Sequence, residues 1–316
     1  MTAPRTPRAL HVFAVLLAGA TLTLIFIGGL VTSTGSGLAV PDWPLSFGQF
    51  FPRMVGGVLY EHGHRMVAAT VGALTVVLAV WSMLVETHRA VRHFAFAAVG
   101  TVIAQGLLGG LTVIFLLPPA ISVAHACLAQ AFLCITVALG VITHPEWTPA
   151  TTAPADPGFG TLTLATAATV YGQLILGAIM RHTGAGLAIP DFPLAFGRLV
   201  PPFDSPAIAI HFLHRMGALA VTSMVVWSAL RTFRTHGRER ALTRPAFVAL
   251  GLVATQITLG ALTIWTQKAV LPTTAHVACG AAILGTTVLL ALRARRAAPA
   301  FTGAARTVLS TERVPA

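Results

Sequence analysis

GSGLAVPDWPLSFG, residues 35–48, returns as GAGLAIPDFPLAFG at residues 184–197, an offset of 149. Further along, Glu61-His62-Gly63-His64-Arg65-Met66 returns as His211-Phe212-Leu213-His214-Arg215-Met216 at an offset of 150, and Ala124-His125 returns as Ala275-His276 at 151. Three markers that hold nearly constant register over about ninety residues indicate a duplicated unit. Each copy also sets two histidines inside apolar stretches. His64, His125, His214 and His276 are therefore the first place to look for chemistry.

Only 9% of the residues are charged and 55% are hydrophobic, and the mean hydropathy of +0.81 is far above what a soluble domain needs to cover its surface. The chain reads as an integral membrane protein. A helix needs about 20 apolar residues to cross the hydrocarbon layer. Eight runs qualify, at residues 10–31, 58–85, 94–115, 120–142, 159–180, 207–230, 246–265 and 272–292. The expected fold is all-α, with two pseudo-symmetric four-helix bundles produced by the internal duplication. The first run is too long for a signal-peptide core and is expected to stay as a helix. The domains expected are a first bundle over residues 1–144, a Pro-, Thr- and Ala-rich linker over 145–158, a second bundle over 159–296 and a polar tail over 297–316.

The net charge of +11 does not point to a nucleic acid, because of how it is distributed. In the eight-span arrangement fourteen arginines fall on one side, and only Arg53, Arg65, Arg181, Arg198, Arg215 and Lys268 fall on or near the other. That asymmetry places both termini in the cytoplasm of a bacterial-type cell membrane. Cys127, Cys134 and Cys279 lie within predicted spans, so no structural disulfide is expected.

The even-numbered helices enter from the outer face, and each repeated histidine lies five to eight residues in. At 1.5 Å rise per residue this puts all four imidazoles roughly 10 Å below the outer interface. Two helices that offer one histidine each at equal depth can clamp a planar macrocycle, as axial haem ligation in a helical bundle requires. Polar groups at such depth are expensive, and four in matched positions favour ligation over hydrogen bonding between helices. Zinc is the rival occupant, but no nearby cysteine or second carboxylate completes a tetrahedral set.

The two sites differ. Glu61 lies one turn before His64 on the same helix face, whereas the second copy carries His211 at that position. A carboxylate beside one site can relay protons or bind substrate; it can also cap its helix or pair with Arg65. The first reading makes the N-terminal half the reaction site and the C-terminal half the holder of a fixed cofactor. Arg65 and Arg215 follow the ligand candidates and suit haem propionates, or they snorkel to the interface. The loops with Asp42-Trp43 and Asp191-Phe192 lie above the histidines as ordered lids or as plain turns. Gln105-Gly106 with Gly109-Gly110, and Gln256 with Gly260, read as close-packing positions. No role beyond interface polarity is assigned to the remaining histidines, although His62 and His182 are placed to line the outer mouth.

Taken together, GGLVTSTGSGLAVPDWP at 28–44, EHGHR at 61–65, RHTGAGLAIPDFP at 181–193, HFLHR at 211–215 and the histidines His125 and His276 resemble the heme A synthase family. The resemblance covers residues 9–292. It implies an eight-helix membrane oxidoreductase that converts the C8 methyl of heme O to the formyl group of heme A for cytochrome oxidase biogenesis. His64 and His125 would then ligate heme O, with Glu61 beside the reacting methyl, and His214 and His276 would ligate a resident heme b. Membrane lipid, heme O synthase and cytochrome oxidase assembly factors follow as partners to look for. The electron donor and homo-oligomerisation stay open. Some members carry a cysteine pair in the first outer loop; this chain has Leu38 and Val40 there, so a redox role for such a pair does not transfer. The competing readings are a di-haem b-type cytochrome that only moves electrons and a repeat-built transporter. The Glu61/His211 difference disfavours the first, and the parallel repeat with no broken helix disfavours the second.

Overall fold

The structure is a computed structural model that describes residues 6–145, 147 and 156–296. Most of the expected linker and the whole expected tail, 297–316, lie outside the described residues. The elements are α1 (Arg8–Ser33), α2 (Gly57–Val85), α3 (Arg89–Ile114), α4 (Pro119–Ile142), α5 (Pro157–His182), α6 (Pro206–Thr235), α7 (Arg240–Trp265) and α8 (Val270–Ala294). A short 3-10 turn, Ala185–Leu187, precedes α6. All eight helices are long and apolar enough to cross a membrane.

The helices outrun the apolar runs at their charged ends. α3 begins at Arg89, α7 at Arg240, and α6 continues to Thr235. Hydropathy marks the part of a helix that sits in hydrocarbon, whereas backbone hydrogen bonding carries the helix on into the headgroup layer. α5 starts two residues before the expected boundary because Asp156 accepts from Phe159 N at 2.9 Å and proline occupies the first turn. Arg231 of α6 pairs with the same carboxylate at 3.1 Å.

The helices α1, α4, α5 and α8 meet across the two halves, while α2, α3, α6 and α7 pack on their outer flanks. One buried cluster joins Leu10, Leu17, Leu78, Val91, Phe132 and Leu139 in the first half. In the second half, Val170, Val225 and Ile283 form another, and Phe159, Leu242 and Leu290 a third. All three lie at mid-depth or toward the end that carries the N-terminus of α1. The opposite end, where the loops 34–56 and 183–205 emerge, contains the four histidines and none of these clusters. The large apolar clusters thus close one end of each bundle, while the loop end mixes buried polar groups and glycine with smaller apolar contacts such as Val40 and Ile189.

Candidate haem-binding site

His64 lies seven residues into α2, His125 six into α4, His214 eight into α6 and His276 six into α8. These steps correspond to depths of roughly 9 to 12 Å below the loop-end helix starts. All four side chains are half-buried. Nδ1 of His64, His125 and His276 is buried without a hydrogen-bond partner, a costly state for a polar atom.

A glycine on the neighbouring helix makes room for each ring. A Cβ at Gly28 of α1 would lie 3.1 Å from His64 Cε1, and one at Gly109 of α3 would lie 3.4 Å from His125 Cε1. At Gly177 of α5 and Gly260 of α7 the corresponding distances to His214 and His276 Cε1 are 3.1 and 3.2 Å. Gly109 and Gly260 thus do more than bring helices together. Gly28 and Gly177 sit at matching places in the two copies, but a glycine in an apolar helix gives no sign of what faces it.

His214 and His276 face each other with ring centroids 6.4 Å apart. A metal–nitrogen bond of about 2 Å plus about 1.1 Å from nitrogen to ring centre on each side gives about 6 Å. The pair therefore fits an iron held axially between two imidazoles. In the first half, His64 and His125 occupy the matching positions, each with the same glycine recess beside its ring. Among the described residues no three His, Cys, Asp or Glu side chains converge as a metal-holding group, so a zinc-type cluster has no donor set. The residues present fit a bis-histidine haem. Gln256 of α7 lies beside the second site, its amide nitrogen 3.3 Å from His276 Nε2.

The two loops fold alike. Asp42 accepts from Phe47 N and Gly48 N at 2.7 and 2.8 Å, and Asp191 accepts from Phe196 N and Gly197 N at the same distances. The N–H groups of Gly48 and Phe47 hold the Asp42 carboxyl below its usual range; those of Gly197 and Phe196 do the same for Asp191. Phe47 and Phe196 are left-handed, at φ 54° and 55°, a conformation that the aspartate clamps maintain. Trp43 lies against Gly110 of α3, where a Cβ would come within 2.6 Å of the indole. Phe192 stands edge-on to Trp265 of α7 at 6.2 Å. Both loops are thereby pinned over the histidine end of their half.

Both arginines after the ligand candidates are engaged by these loops. Arg65 donates to the carbonyls of Asp42 and Leu45 at 2.8 and 3.0 Å, and Arg215 to those of Leu194 and Asp191 at 2.7 Å each. This anchoring is not legible from residue type or spacing. Arg215 Nε is buried without a partner.

Glu61 is buried, with Oε1 accepting from Arg65 at 2.6 Å and Oε2 from Val40 N at 2.8 Å. The pairing alternative considered for Glu61 is thus present, and its carboxylate also ties the first loop to α2. In the second half His211 Nδ1 accepts from Ile189 N at 3.2 Å, so the two residues meet the same backbone donor. His62 does not face the outer mouth. It is buried, with Nδ1 2.8 Å from Ser46 Oγ, because the folded-back loop covers that side of α2. At the junction of the halves Arg181 donates to Gly29 O and Ser33 Oγ at 3.0 and 2.9 Å, and Thr274 donates to the same hydroxyl at 2.9 Å. α1, α5 and α8 are thereby joined beside both histidine pairs.

Residues 54–288 match the model of COX15-CtaA, the cytochrome oxidase assembly protein. The chain belongs to the COX15-CtaA family. Among curated members it is 34% identical over 266 residues to the heme A synthase of Symbiobacterium thermophilum, covering 79% of this chain and 84% of that protein. It is 31% identical over 259 residues to the heme A synthase of Halalkalibacterium halodurans, covering 80% and 86%. It is 30% identical over 312 residues to that of Geobacillus kaustophilus, covering 92% and 94%. The matched COX15-CtaA segment contains all four histidines, Glu61 and both arginines.

Proposed function

We propose that the protein is a heme A synthase, a membrane oxidoreductase that oxidises the C8 methyl of heme O to the formyl group of heme A. The observation that carries this reading is the His214–His276 pair, with ring centroids 6.4 Å apart, and its repeat at His64 and His125, each histidine backed by a glycine that leaves room for its ring. The heme A synthases to which the chain is similar support the choice of substrate. In this reading His64 and His125 hold heme O in the N-terminal half, and His214 and His276 hold a resident heme b in the C-terminal half. The arginine distribution supports cytoplasmic termini and sites near the outer face of a bacterial cell membrane. Heme O synthase and cytochrome oxidase assembly factors remain the partners to test.

Methyl to formyl is a four-electron oxidation, in its simplest course two hydroxylations followed by loss of water from the gem-diol. Heme b, when bound, supplies one-electron redox chemistry. The chain's own residues do the rest. Glu61, one turn before His64, is the carboxylate placed to take protons released at the substrate. Its bonds to Arg65 and Val40 N hold it in place without using every lone pair. Arg65 and Arg215 hold the loops closed above the two rings, which excludes water from the reacting end. Arg215 Nε is placed to meet a haem propionate.

The test is to purify the protein in detergent, extract its haems into acid-acetone and separate them by chromatography, with and without co-produced heme O. The expected result is heme A or its hydroxylated precursor beside heme b. Two heme b per chain, unchanged by heme O supply, would overturn the enzyme reading in favour of an electron-transfer cytochrome.

A further inference from the structure

The ligand histidines of the two halves have different supports, and one pair of positions differs in residue type. In the second half the Gln173 amide nitrogen lies 3.1 Å from His214 Nδ1 and 2.8 Å from the His214 backbone oxygen. One NH2 group therefore holds both the ring and the backbone of one residue. Gln173 fits only because residue 217 is glycine: a Cβ there would collide with Gln173 Oε1. In the first half the matching residues are Leu24 and Val67, two apolar side chains packed against the buried cluster of that bundle. His64 Nδ1 is left buried with no hydrogen-bond partner. On the other pair of ligand helices the residue types are kept, glutamine as Gln105 and Gln256 and glycine as Gly109 and Gly260, with the Gln256 amide 3.3 Å from His276 Nε2.

We infer that Gln173 is a positioning residue that locks the His214 imidazole, and that Leu24 and Val67 leave His64 as the ligand free to turn. The inference rests on the haem-binding reading above and assigns the exchangeable ligand within it. A ligand histidine needs a partner for its second ring nitrogen to fix tautomer and orientation. As drawn, Gln173 donates to Nδ1. When Nε2 is given to iron, the proton resides on Nδ1 and requires an acceptor. Gln173 Oε1, buried and unpartnered, becomes that acceptor when the amide turns, at the cost of the backbone bond. Glutamine can therefore hold the ring in either tautomer. Leucine can do so in neither, and the first-half site must bind a substrate and release a product, which a locked ligand would hinder.

The experiment is to write each half's pair into the other. Gln173→Leu with Gly217→Val copies a packing that the first half already sustains, which guards against simple misfolding. Its expected effect is retention of the C-terminal haem with roughly 10- to 100-fold faster haem dissociation, and a broadened low-spin electron paramagnetic resonance signal from ring disorder. Gln173→Glu, which keeps an acceptor, should restore the sharp signal. Leu24→Gln with Val67→Gly should slow release of haem from the first site by a comparable factor. Unchanged dissociation and signal in the Gln173→Leu, Gly217→Val protein would overturn the role of Gln173 while leaving haem ligation intact. A separate control identifies failure of the underlying reading: His214→Ala with an unaltered haem spectrum would mean that His214 is no ligand at all.

Discussion

Gly177→Ala should weaken haem binding at the C-terminal site without unfolding the protein. The new Cβ would stand 3.1 Å from His214 Cε1 and 3.6 Å from Nδ1. Carbon atoms settle at about 3.5 to 4.0 Å, so the ring must recede by roughly 0.4 Å or more. Metal–ligand distances tolerate about 0.2 Å. The imidazole is thus displaced by about twice what coordination allows, and a loss of roughly 10- to 100-fold in haem affinity follows, as for other changes that misorient a ligand. That corresponds to about 1.4 to 2.7 kcal/mol. Helix propensity acts in the opposite direction, since alanine is favoured over glycine by about 1 kcal/mol in a helix interior.

These opposite signs make the result readable. Haem per chain, measured as the pyridine haemochrome, should fall in Gly177→Ala, while the unfolding temperature of the haem-stripped protein should hold or rise. Gly172→Ala is the control on the same helix, because nothing lies within 4 Å of its added methyl. It should keep full haem. Gly28→Ala should act on the first site as Gly177→Ala acts on the second, since its Cβ also meets a ring at 3.1 Å. Full haem and an unchanged spectrum in Gly177→Ala would refute the reasoning and return these glycines to ordinary helix packing.

Glu61→His should separate the two jobs of Glu61: an imidazole can accept from Val40 N as His211 accepts from Ile189 N, so the loop stays ordered while heme A formation drops by roughly 100-fold or more; full turnover would remove the carboxylate from the chemistry. Arg215→Ala deletes the two 2.7 Å bonds to the second loop, an effect of about 2 kcal/mol after solvent competition. Amide exchange over residues 189–197 should quicken about 30-fold, and unchanged exchange would deny the anchoring. The Asp42 and Asp191 carboxyls are held below their usual range by backbone N–H groups, so their contribution to loop order is present above the unfolded pKa of about 3.9 and lost as pH falls through the lower folded value. Trp43 fluorescence should therefore stay constant from neutral pH to about pH 4 and change only below it; a transition near pH 6 would point to another group. Gly110→Ala, which drives a methyl into the Trp43 ring, should lift the first loop alone and raise protease cutting within 42–50 but not within 191–199.

The eight helices could be read from the sequence because hydrocarbon imposes a length and a composition that few other environments demand. The matched histidines could be read because polar groups at bilayer depth are rare enough to stand out, and the repeat supplied a second occurrence of each. What could not be read were contacts whose partners are apolar or backbone. Arg65 and Arg215 look alike whether they meet a propionate or a loop carbonyl, since only the fold brings the 42–46 and 189–194 carbonyls within reach. Helix periodicity turns His62 away from the face of His64 and toward the outer mouth, yet the loop that returns over α2 gives it Ser46 as a partner. Gln173 carried no signal of its own, because a glutamine in an apolar helix reads as tolerated polarity until Gly217 is seen across from it.

The divergences between the two copies separate what the fold requires from what the reaction requires. Aspartate on the loop turn, arginine on the loop carbonyls and glycine under each histidine recur in both halves, which marks them as conditions for building a capped histidine pair at all. The positions that differ do so in matched sets. Glu61 gives way to His211, yet the backbone N–H at Val40 and Ile189 keeps an acceptor. Trp43 on Gly110 gives way to a smaller Phe192 where Ala261 stands in the place of that glycine. Leu24 and Val67 give way to Gln173 and Gly217, trading two apolar volumes for one amide and a hollow to hold it. Each exchange of volume is matched by its neighbour, so that none of these places carries a clash, and the one acceptor left over, Gln173 Oε1, is the atom that can turn to the His214 ring. The N-terminal half has thereby gained a carboxylate and an unsupported ligand, while the C-terminal half has an orienting amide and no carboxylate at that position. A site that must exchange and alter its occupant needs the first combination, and a site that must keep its occupant fixed needs the second.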